Sequence, residues 1–385
     1  MMRSEKRILT THTGSLARPV ALVKALQAEA AGKAVDSSEL LRQAVAEIVR
    51  AQVEIGLDVV DDGEMGKPSF VTYINDRLGG FENDTTQAPA SPWAKSRETA
   101  AFPEFYAHAD SSALSAATAA HRVCTGPIVY QGQRWLQRDI RNLKAAAAAA
   151  GAEEVFMPAI SPTNVENWQR NEFYKTQEEY LFAIAAAMHE EYQAIVDAGL
   201  ILQIDDPRFV TYYVLQPDIS VEQWRRWAEV RVEAVNFALR GISPERVRFH
   251  TCYSINMGPR VHDLEMKHAA ATMLKINAGA FSFEYANPRH EHEWRLWEEL
   301  ALPAGKILIP GFVTHTSVLV EHPELVAERI LRFARTVGRE NLIAGTDCGF
   351  GTFASAEPEI HPTIAWAKLR SLVEGARLAS RQLWA

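Results

Sequence analysis

The amino-acid sequence predicts an α/β protein, a (β/α)₈ TIM barrel with an insertion near residues 66–133, formed as one domain over residues 1–385. Short apolar or β-branched runs recur along the chain, and amphipathic helical stretches separate most of them, which is typical of parallel βαβ units. A chain of 385 residues fits one barrel with loop insertions, and no repeat or low-complexity linker divides it. The alternative is a doubly wound sheet, but no G-x-G-x-x-G follows the first predicted strand.

Nine runs have the composition and length of β-strands, one more than a closed (β/α)₈ barrel uses. The run at 127–131 follows a Pro-, Ala- and Ser-rich segment, residues 87–120, that has weak periodicity, so we predict it in the insertion over one barrel end. The predicted strands cover residues 8–14, 58–63, 127–131, 154–159, 200–205, 247–253, 281–285, 306–311 and 342–346.

Six stretches between these runs have the amphipathic pattern of surface helices. Their positions alternate with most of the predicted strands, as the barrel requires. They cover residues 37–55, 135–149, 177–198, 221–239, 323–337 and 363–374.

The composition is that of a soluble globular protein without a nucleic-acid or membrane partner. It is 47% hydrophobic with nine Trp, which predicts a large core, and the formal net charge is -8 without a Lys/Arg cluster. The N-terminus lacks the apolar run of a signal peptide, and no segment is apolar for 18 residues. We therefore predict a cytoplasmic protein whose three cysteines are free thiols, metal ligands or nucleophiles.

Polar side chains end three of the later predicted strands. His250 and Cys252 end one strand, Glu284 ends the next, and Cys348 follows the last. The carboxyl ends of the strands of a β/α barrel share one mouth, where polar residues indicate a site. Because residues two apart in a strand point to the same face, one metal ion could contact both His250 and Cys252.

A His, two Cys and a Glu form a ligand set that suits Zn²⁺ better than Mg²⁺ or Ca²⁺. Two thiolates and a carboxylate would leave roughly one excess negative charge on the site, which favours thiol activation over hydroxide generation. A thiol with a pKa of about 8.5 is only partly ionised near neutral pH, and coordination deprotonates it. The alternative is a satisfied core histidine beside buried cysteines. Cys124 has no ligand-type partner at a suitable spacing, which favours a structural role.

Several segments resemble the catalytic half of cobalamin-independent methionine synthase, and the similarity runs in order from Thr10 to about Phe353. The resemblance implies Zn²⁺ held by His250, Cys252, Glu284 and Cys348. It also implies a zinc-dependent methyltransferase of methionine biosynthesis, which transfers a methyl group to the thiol of homocysteine. The matching segments are Asp-Gly-Glu-Met at 62–65, Gln-Ile-Asp-Asp-Pro at 203–207, His-Thr-Cys-Tyr at 250–253 and Thr-Asp-Cys-Gly at 346–349.

The resemblance also implies roles for residues around the metal. Gly14 and Ser15 match the turn that holds the amino-acid substrate through its backbone. Glu64 and Asp205 match the carboxylates that receive the ammonium group of that substrate. His315 matches the histidine proposed to protonate the leaving group, a role that general acid catalysis makes reasonable.

The residues expected to bind the alkyl donor depart from the family's pattern. Trp168 matches the pterin-stacking tryptophan, but Glu166 stands at an otherwise apolar position, and a helix tryptophan packed on the barrel is the alternative. Val313 and Thr314 stand where the family has an aspartate before the general-acid histidine. Full-length family members use an additional N-terminal barrel to bind the polyglutamate tail of folate, whereas this sequence starts at the catalytic barrel. The alkyl donor is therefore left open, with a methylfolate as one candidate.

Single-barrel relatives that start with Thr-Thr-His-Thr-Gly-Ser-Leu include the epoxyalkane:coenzyme M transferases, in which zinc presents a sulfonate thiol to an epoxide. Glu64 and Asp205 favour an ammonium-bearing thiol such as homocysteine. Four cations near motif ends would suit a sulfonate instead: Arg18, Lys67, Arg208 and Arg289.

Two other functions are weaker alternatives. A noncatalytic zinc-binding barrel would not need Glu64, Asp205 and His315. An amidohydrolase-like metal hydrolase would need His-x-His on a strand end, and the close pair His290 and His292 begins a predicted helix.

Overall fold

Eight parallel strands close into a barrel in the computed structural model, which describes residues 1–30, 33–86, 91–108, 121–254, 257–354, 358 and 360–385. The strands are β1 (Leu9–Thr10), β2 (Val59–Val60), β3 (Leu78–Asn83), β4 (Arg122–Tyr130), β5 (Glu154–Ile160), β6 (Arg170–Asn171), β7 (Ile201–Asp205), β8 (Val247–Thr251), β9 (Ala280–Phe283), β10 (Ile307–Val313) and β11 (Ile343–Thr346). Around the barrel the order is β1-β2-β5-β7-β8-β9-β10-β11, and a parallel bridge between Thr11 and Val59 joins β1 to β2. The predicted TIM barrel is confirmed.

The helices cover the outside of the barrel, as the alternating pattern predicts. All six predicted helices are present, and the last one extends to Leu383. The shorter helices were not predicted from the sequence. The α-helices are Val20–Ala30, Ser38–Glu54, Arg97–Ala101, Pro103–His108, Gln133–Ala150, Pro162–Trp168, Gln177–Asp197, Arg208–Leu215, Val221–Ala238, Met266–Met273, Leu296–Glu299, Pro323–Val337 and Pro362–Leu383. None of these described helices combines the length and the hydropathy that crossing a bilayer needs.

The first two barrel strands are shorter than predicted, because polar side chains replace the strand ladder at their ends. Thr10 donates its backbone N–H to Asp58 Oδ2 at 2.7 Å, just before β2 begins. After β2 the chain turns at once, since Asp61 Oδ1 accepts the Gly63 N–H at 2.9 Å and Asp62 Oδ1 accepts the Glu64 N–H at 2.9 Å. Short strands thus give way to tight loops at the mouth of the barrel.

The predicted insertion contains part of a second, three-stranded sheet. In this sheet β3 and β4 pair antiparallel, and β6 adds to β4 in parallel. The run predicted at 127–131 belongs to β4 and lies outside the barrel, as expected. The sheet also contains β6, which follows β5 in the chain and lies outside the predicted bounds of the insertion, residues 66–133. Arg77 fixes this region to two barrel helices through buried ion pairs with Asp139 at 2.7 Å and Glu191 at 3.1 Å.

The interior of the barrel contains a polar layer centred on Arg248, which is 1% exposed. Its guanidinium donates to Gln203 Oε1 and to Thr11 Oγ1, and so links β8 to its neighbour β7 and to the start of the barrel. It also donates to the carbonyl of His12 at 2.6 Å and lies 3.5 Å from the centroid of the Phe156 ring. This layer closes the barrel beneath the mouth.

Candidate metal centre

Three potential metal ligands meet at the carboxyl ends of β8 and β11. His250 lies in β8, Cys252 follows it, and Cys348 follows β11. All three side chains are buried, and one ligand atom from each lies within 4.8 Å of the others. Three of the four predicted ligands are therefore gathered at the barrel mouth, as the strand ends indicated.

His250 is oriented as a neutral ligand. Its Nδ1 lies 3.1 Å from Ser282 Oγ, while its buried Nε2 has no hydrogen-bond partner among the described residues. Burial, followed by the charge of Arg248, lowers the pKa of His250 to about 3, so the ring is neutral at physiological pH. A hydrogen bond on one ring nitrogen with the other left bare is the usual arrangement of a metal-binding histidine.

The two cysteines face each other without forming a disulfide. Cys252 Sγ and Cys348 Sγ are 3.4 Å apart, whereas a disulfide bond is about 2.05 Å long. The contact with Cys348, together with burial, raises the pKa of the Cys252 thiol well above its ordinary value. A cation between the sulfurs would reverse this, because coordination stabilises the thiolate. Cys124 lies in β4 and contacts the Gly126 carbonyl, away from this cluster.

Glu284, the predicted fourth ligand, follows β9 but lies outside the three-atom cluster. Its Oε2 accepts hydrogen bonds from Arg260 and from Asn287, and its Oε1 accepts the Tyr253 N–H at 3.2 Å. Burial raises the pKa of Glu284 to about 7 against the opposing effect of Arg260. The carboxylate therefore contacts the loop that carries Cys252, and its coordination of a metal stays a prediction.

His315 follows β10 and approaches the same loop. Its Nε2 lies 3.2 Å from the Ser254 carbonyl and 3.8 Å from Glu284 Oε1. Its buried Nδ1 has no partner among the described residues. Burial, followed by the charge of Arg260, lowers the pKa of His315 to about 3.

A cavity of about 430 Å³ opens beside the cluster, and several predicted substrate-binding residues line it. Ser15 reaches it from the loop after β1, Glu64 from the loop after β2, and Asp205 from the end of β7. Its lining residues are Thr13, Ser15, Glu64, Phe70, Asp205, Pro207, His250, Cys252, Ser254, Cys348, Gly349 and Thr352.

Gly14 lies between Thr13 and Ser15, which line this cavity, and its backbone approaches its neighbours closely. Its φ is 142°, and a Cβ at this position would be 2.9 Å from Pro158 Cγ and 3.5 Å from Glu64 Oε1. The Gly-Ser turn therefore presents its backbone next to a carboxylate, and its binding of an amino acid stays a prediction.

Glu64 has a strained backbone, and one oxygen of its carboxylate has no hydrogen-bond partner among the described residues. Its φ of 57° lies in the left-handed region, and Arg18 fixes the turn by donating to its carbonyl at 2.8 Å. Lys67 Nζ lies 3.7 Å from Oε1, while Oε2 is buried without a partner in the described part of the chain. Asp205 accepts from Gln203 Nε2 at 2.7 Å, and burial together with the charge of Glu64 raises the pKa of Asp205. This carboxylate pair is suited to a cation such as an ammonium group.

Trp168 lines an adjacent cavity of about 280 Å³ and not the cavity beside the metal ligands. The two cavities share Phe70, Pro207 and Ser254. Glu166, two residues earlier, pairs with Arg231 and is not among the residues that line either cavity. Trp168 is thus placed near the metal cluster without joining its immediate lining.

Two residues of the site gave no signal in the sequence. Ser254 and Arg260 have φ values of 70° and 58°, and with Glu64 they are the non-glycine residues with positive φ in the described ranges. Arg260 donates to the Ser254 carbonyl at 2.7 Å and to Glu284. Neither serine nor arginine indicates a left-handed backbone in a sequence. Only the structure shows that Arg260 holds the Ser254 carbonyl and Glu284 together. Strained backbone of this kind concentrates at functional sites.

Residues 8–102 and 108–376 match the family described as "Cobalamin-independent synthase, Catalytic domain". A methionine synthase from Thermococcus kodakarensis is 24% identical over 351 residues, which cover 90% of this chain and 85% of the relative. A methionine synthase from Saccharolobus islandicus is 26% identical over 380 residues, with coverage of 97% and 95%.

Two solved structures share the fold. A B12-independent methionine synthase from a Shewanella species, in complex with selenomethionine, superposes with a TM-score of 0.72 at 18% identity, covering 98% of this chain and 99% of that one. A putative vitamin-B12 independent methionine synthase from Listeria monocytogenes superposes with a TM-score of 0.65 at 20% identity, with coverage of 96% and 98%. The same barrel thus spans nearly the whole of each chain.

Proposed function

Because the chain belongs to the family of cobalamin-independent synthase catalytic domains, we propose that it is a zinc-dependent S-methyltransferase that converts homocysteine to methionine. The observation that carries the proposal is the buried cluster of His250, Cys252 and Cys348, whose ligand atoms lie within 4.8 Å of one another. The relatives named methionine synthase support the reaction class.

The cluster fits zinc by its chemistry. His250 Nε2 is buried and bare, and the two sulfurs are 3.4 Å apart. One imidazole and two sulfurs are ligands that zinc accepts in preference to Mg²⁺ or Ca²⁺. Glu284 is the candidate for a fourth ligand, provided that it exchanges part of its contact with Arg260. Zinc held here would supply Lewis acidity that deprotonates a thiol and keeps it nucleophilic at neutral pH.

The substrate-binding residues would hold homocysteine with its thiol toward the cluster. Glu64 and Asp205 would bind the ammonium group, because Glu64 Oε2 has no partner in the described chain, and burial and the charge of Glu64 raise the pKa of Asp205 even with Lys67 nearby. The backbone of Gly14 and Ser15 would hold the carboxylate. The Shewanella structure contains selenomethionine, an analogue of the proposed product.

His315 would move the proton that the departing donor needs. In the neutral ring, Nε2–H donates to the Ser254 carbonyl, which leaves the bare Nδ1 free to accept a proton. Because the pKa of His315 is lowered to about 3, the ring is neutral near pH 7, so Nδ1 could give a proton to the departing donor only after taking one up, for which the ionising homocysteine thiol would be the source. The low-dielectric surroundings would also keep water away from the thiolate.

Metal content tests the cluster. The purified protein should contain about one equivalent of zinc, and Cys252→Ser should lose it, because a serine hydroxyl replaces a thiolate ligand. Cys124→Ser is the matched control, since Cys124 is also buried but lies in β4 away from the cluster. Less than half an equivalent of zinc in the wild type, unchanged in Cys252→Ser, would refute the proposal.

Proton release identifies the thiol. Binding of homocysteine to the zinc-loaded protein should release a proton, because coordination ionises the thiol. Coenzyme M is the comparison, since its sulfonate would lie against Glu64 and Asp205 and should be bound poorly. Release with coenzyme M but not with homocysteine would favour the second candidate, an epoxyalkane:coenzyme M transferase type of thiol alkylation.

A further inference from the structure

Arg18 joins three loops at the mouth of the barrel. It lies in the loop after β1, and that strand has β2 on one side and β11 on the other. One terminal nitrogen of its guanidinium donates to the Glu64 carbonyl at 2.8 Å, in the loop after β2. The other donates to the Gly351 carbonyl at 2.7 Å, in the loop after β11. A single side chain therefore ties together the loops that carry Ser15, Glu64 and Cys348.

Arg18 is buried without lining the cavity beside the metal ligands. It is 6% exposed, and it is not among the described residues that form the wall of that cavity. Each terminal nitrogen already donates to a backbone carbonyl, so the guanidinium acts on the protein rather than on a ligand. This arrangement favours a role in holding the loops over the contact with a sulfonate that its place in the sequence allows.

The hydrogen bond from Arg18 to Glu64 goes to the backbone and leaves the carboxylate available. An arginine beside an acidic residue commonly pairs with the carboxylate through two parallel hydrogen bonds. Here it bonds the carbonyl of a residue whose φ of 57° is left-handed, while Glu64 Oε2 is buried without a partner in the described chain. Arg18 thus supports a strained turn without using the acceptor that the proposed ammonium group would need.

Strand pairing fixes one of the two substrate carboxylates but not the other. Asp205 is the ladder partner of His250, so the pairing of β7 with β8 sets its distance from that metal ligand. Glu64 instead follows β2, which is two residues long, and β1 separates β2 from β11 in the barrel. The position of Glu64 relative to Cys348 therefore depends on contacts between loops, and Arg18 bonds to both of these loops.

We propose that Arg18 is a positioning residue that sets the distance between Glu64 and Cys348 and thereby selects the chain length of the amino thiol. The inference rests on the proposed methylation of homocysteine, in which Glu64 binds the ammonium group and the metal cluster binds the sulfur. Cysteine is shorter than homocysteine by one methylene group. A site whose two ends are held at a fixed separation prefers one of these lengths, whereas a site whose ends can shift accepts both.

The test compares three amino thiols that differ only in length: cysteine, homocysteine and the homologue with one further methylene group. Each is titrated into the zinc-loaded protein, and the release of a proton gives its dissociation constant. We expect the wild type to prefer homocysteine over either of the others by roughly 10- to 100-fold, as one methylene group provides in a closed pocket. In Arg18→Gln this preference should fall about tenfold, chiefly because homocysteine binds more weakly.

Two further variants separate positioning from a general loss of structure. Arg246→Gln is the matched control, because Arg246 also donates to two backbone carbonyls, those of Gly199 and Leu200, but at the opposite end of the barrel. It should keep the wild-type preference. Arg18→Lys should have an intermediate preference, since an ammonium group can bond one of the two carbonyls. If Arg18→Gln does not fold, the lysine variant carries the comparison.

Hydrogen exchange measures the contacts between the loops without any thiol. The Leu16 N–H donates to the loop after β2 at 3.1 Å, and the Phe350 N–H donates to the loop after β1 at 2.8 Å. Both amides should exchange faster in Arg18→Gln than in the wild type, and they should be unchanged in Arg246→Gln. Unchanged exchange in Arg18→Gln would show that Arg18 does not hold these loops.

Three results with the thiols would also overturn the inference. One is a wild type without a preference for length. Another is an equal loss of affinity for all three thiols in Arg18→Gln, which would leave the preference unchanged and assign Arg18 to the shared carboxylate or to stability. The third is a larger loss for coenzyme M than for homocysteine, which would mean that Arg18 binds an anionic group directly. If no amino thiol releases a proton from the wild type, the proposed function is refuted instead, and the exchange of Leu16 and Phe350 still tests whether Arg18 holds the loops.

Discussion

His290 lies between two carboxylates beside the metal-ligand loop. Its Nδ1 is 3.0 Å from Glu293, its Nε2 is 3.2 Å from Asp263, and its ring stacks on Tyr253 with centroids 4.0 Å apart. Burial alone would lower the pKa of His290, but the hydrogen bonds to Asp263 and Glu293 outweigh it and raise the pKa to about 9. The ring is therefore a buried imidazolium that supports Tyr253 and, through it, the neighbouring Cys252.

This charge predicts a pH-dependent stability. A histidine whose pKa is raised on folding contributes stability that is complete below its unfolded pKa of about 6.5 and is lost as the pH rises through about 9. His290→Gln should therefore lower the free energy of unfolding by on the order of 2–3 kcal/mol at pH 6 and by much less at pH 9.5. Urea unfolding of both proteins at the two pH values measures the difference. An equal loss at both would show that His290 is neutral in the folded chain.

Individual site residues were predictable where strand position and residue type agree. His250, Cys252 and Cys348 lie at the ends of barrel strands, so the strand pattern alone predicts that they meet. Glu284 was predicted as a fourth ligand, yet it pairs with Arg260 outside the cluster. That pairing depends on a loop backbone with a φ of 58°, and no local sequence signal encodes it.

The loops after β1 and β11 approach each other so closely that glycine is required in the second loop. A Cβ on Gly349 would be 2.0 Å from Ser15 Oγ, and a Cβ on Gly351 would be 2.5 Å from the carbonyl carbon of Leu16. The backbone N–H of Phe350 donates to the Ser15 carbonyl at 2.8 Å across this contact. The position of Cys348 is thus set by the loop that carries the predicted substrate-binding turn.

Gly349→Ala should displace Cys348 and weaken metal retention. We expect about a tenfold loss of zinc affinity, the lower end of what disturbing the support of a ligand costs, measured by competition with a chelator. Gly126→Ala is the control, because the nearest atom to a Cβ there is 3.8 Å away. Unchanged affinity in Gly349→Ala would mean that the loop after β1 yields without moving the ligand.

Elements were predicted well where the pattern was long. The helix at 323–337 was placed with both ends correct, and the strand at 200–205 missed by one residue. The first strand was predicted as residues 8–14 but ends at Thr10, since after the isolated bridge at Thr11 the Thr13 N–H donates to the Thr346 side chain rather than to a strand ladder. The helix Arg208–Leu215 was missed because eight residues carry too little periodicity.

Across the whole barrel, Arg248 links opposite parts of the chain through its interior. Arg248→Ala should lower the free energy of unfolding by about 3–5 kcal/mol, because it leaves Gln203 and the His12 carbonyl without their donor and opens a void beside Phe156. Urea denaturation measures the loss, and the exposed Arg240→Ala should change stability by less than about 0.5 kcal/mol. A small loss in Arg248→Ala would show that this polar layer does not limit stability.

The barrel sheet closes at a seam between β1 and β2, where the strand pairing is shorter than between β5 and β7. Between β1 and β2 the strand pairing is one β-bridge, from Thr11 to Val59, supported by the Asp58 N–H that donates to the Thr10 carbonyl at 3.0 Å, whereas β5 and β7 pair over five residues. Gly14 and Ser15 follow one side of this seam and Glu64 follows the other. Local opening begins where few hydrogen bonds must break. The Asp58 amide, which bonds across this seam, should therefore exchange with deuterium before the amides of β7, and a bound amino acid that bridges both loops should act as a clasp that slows its exchange.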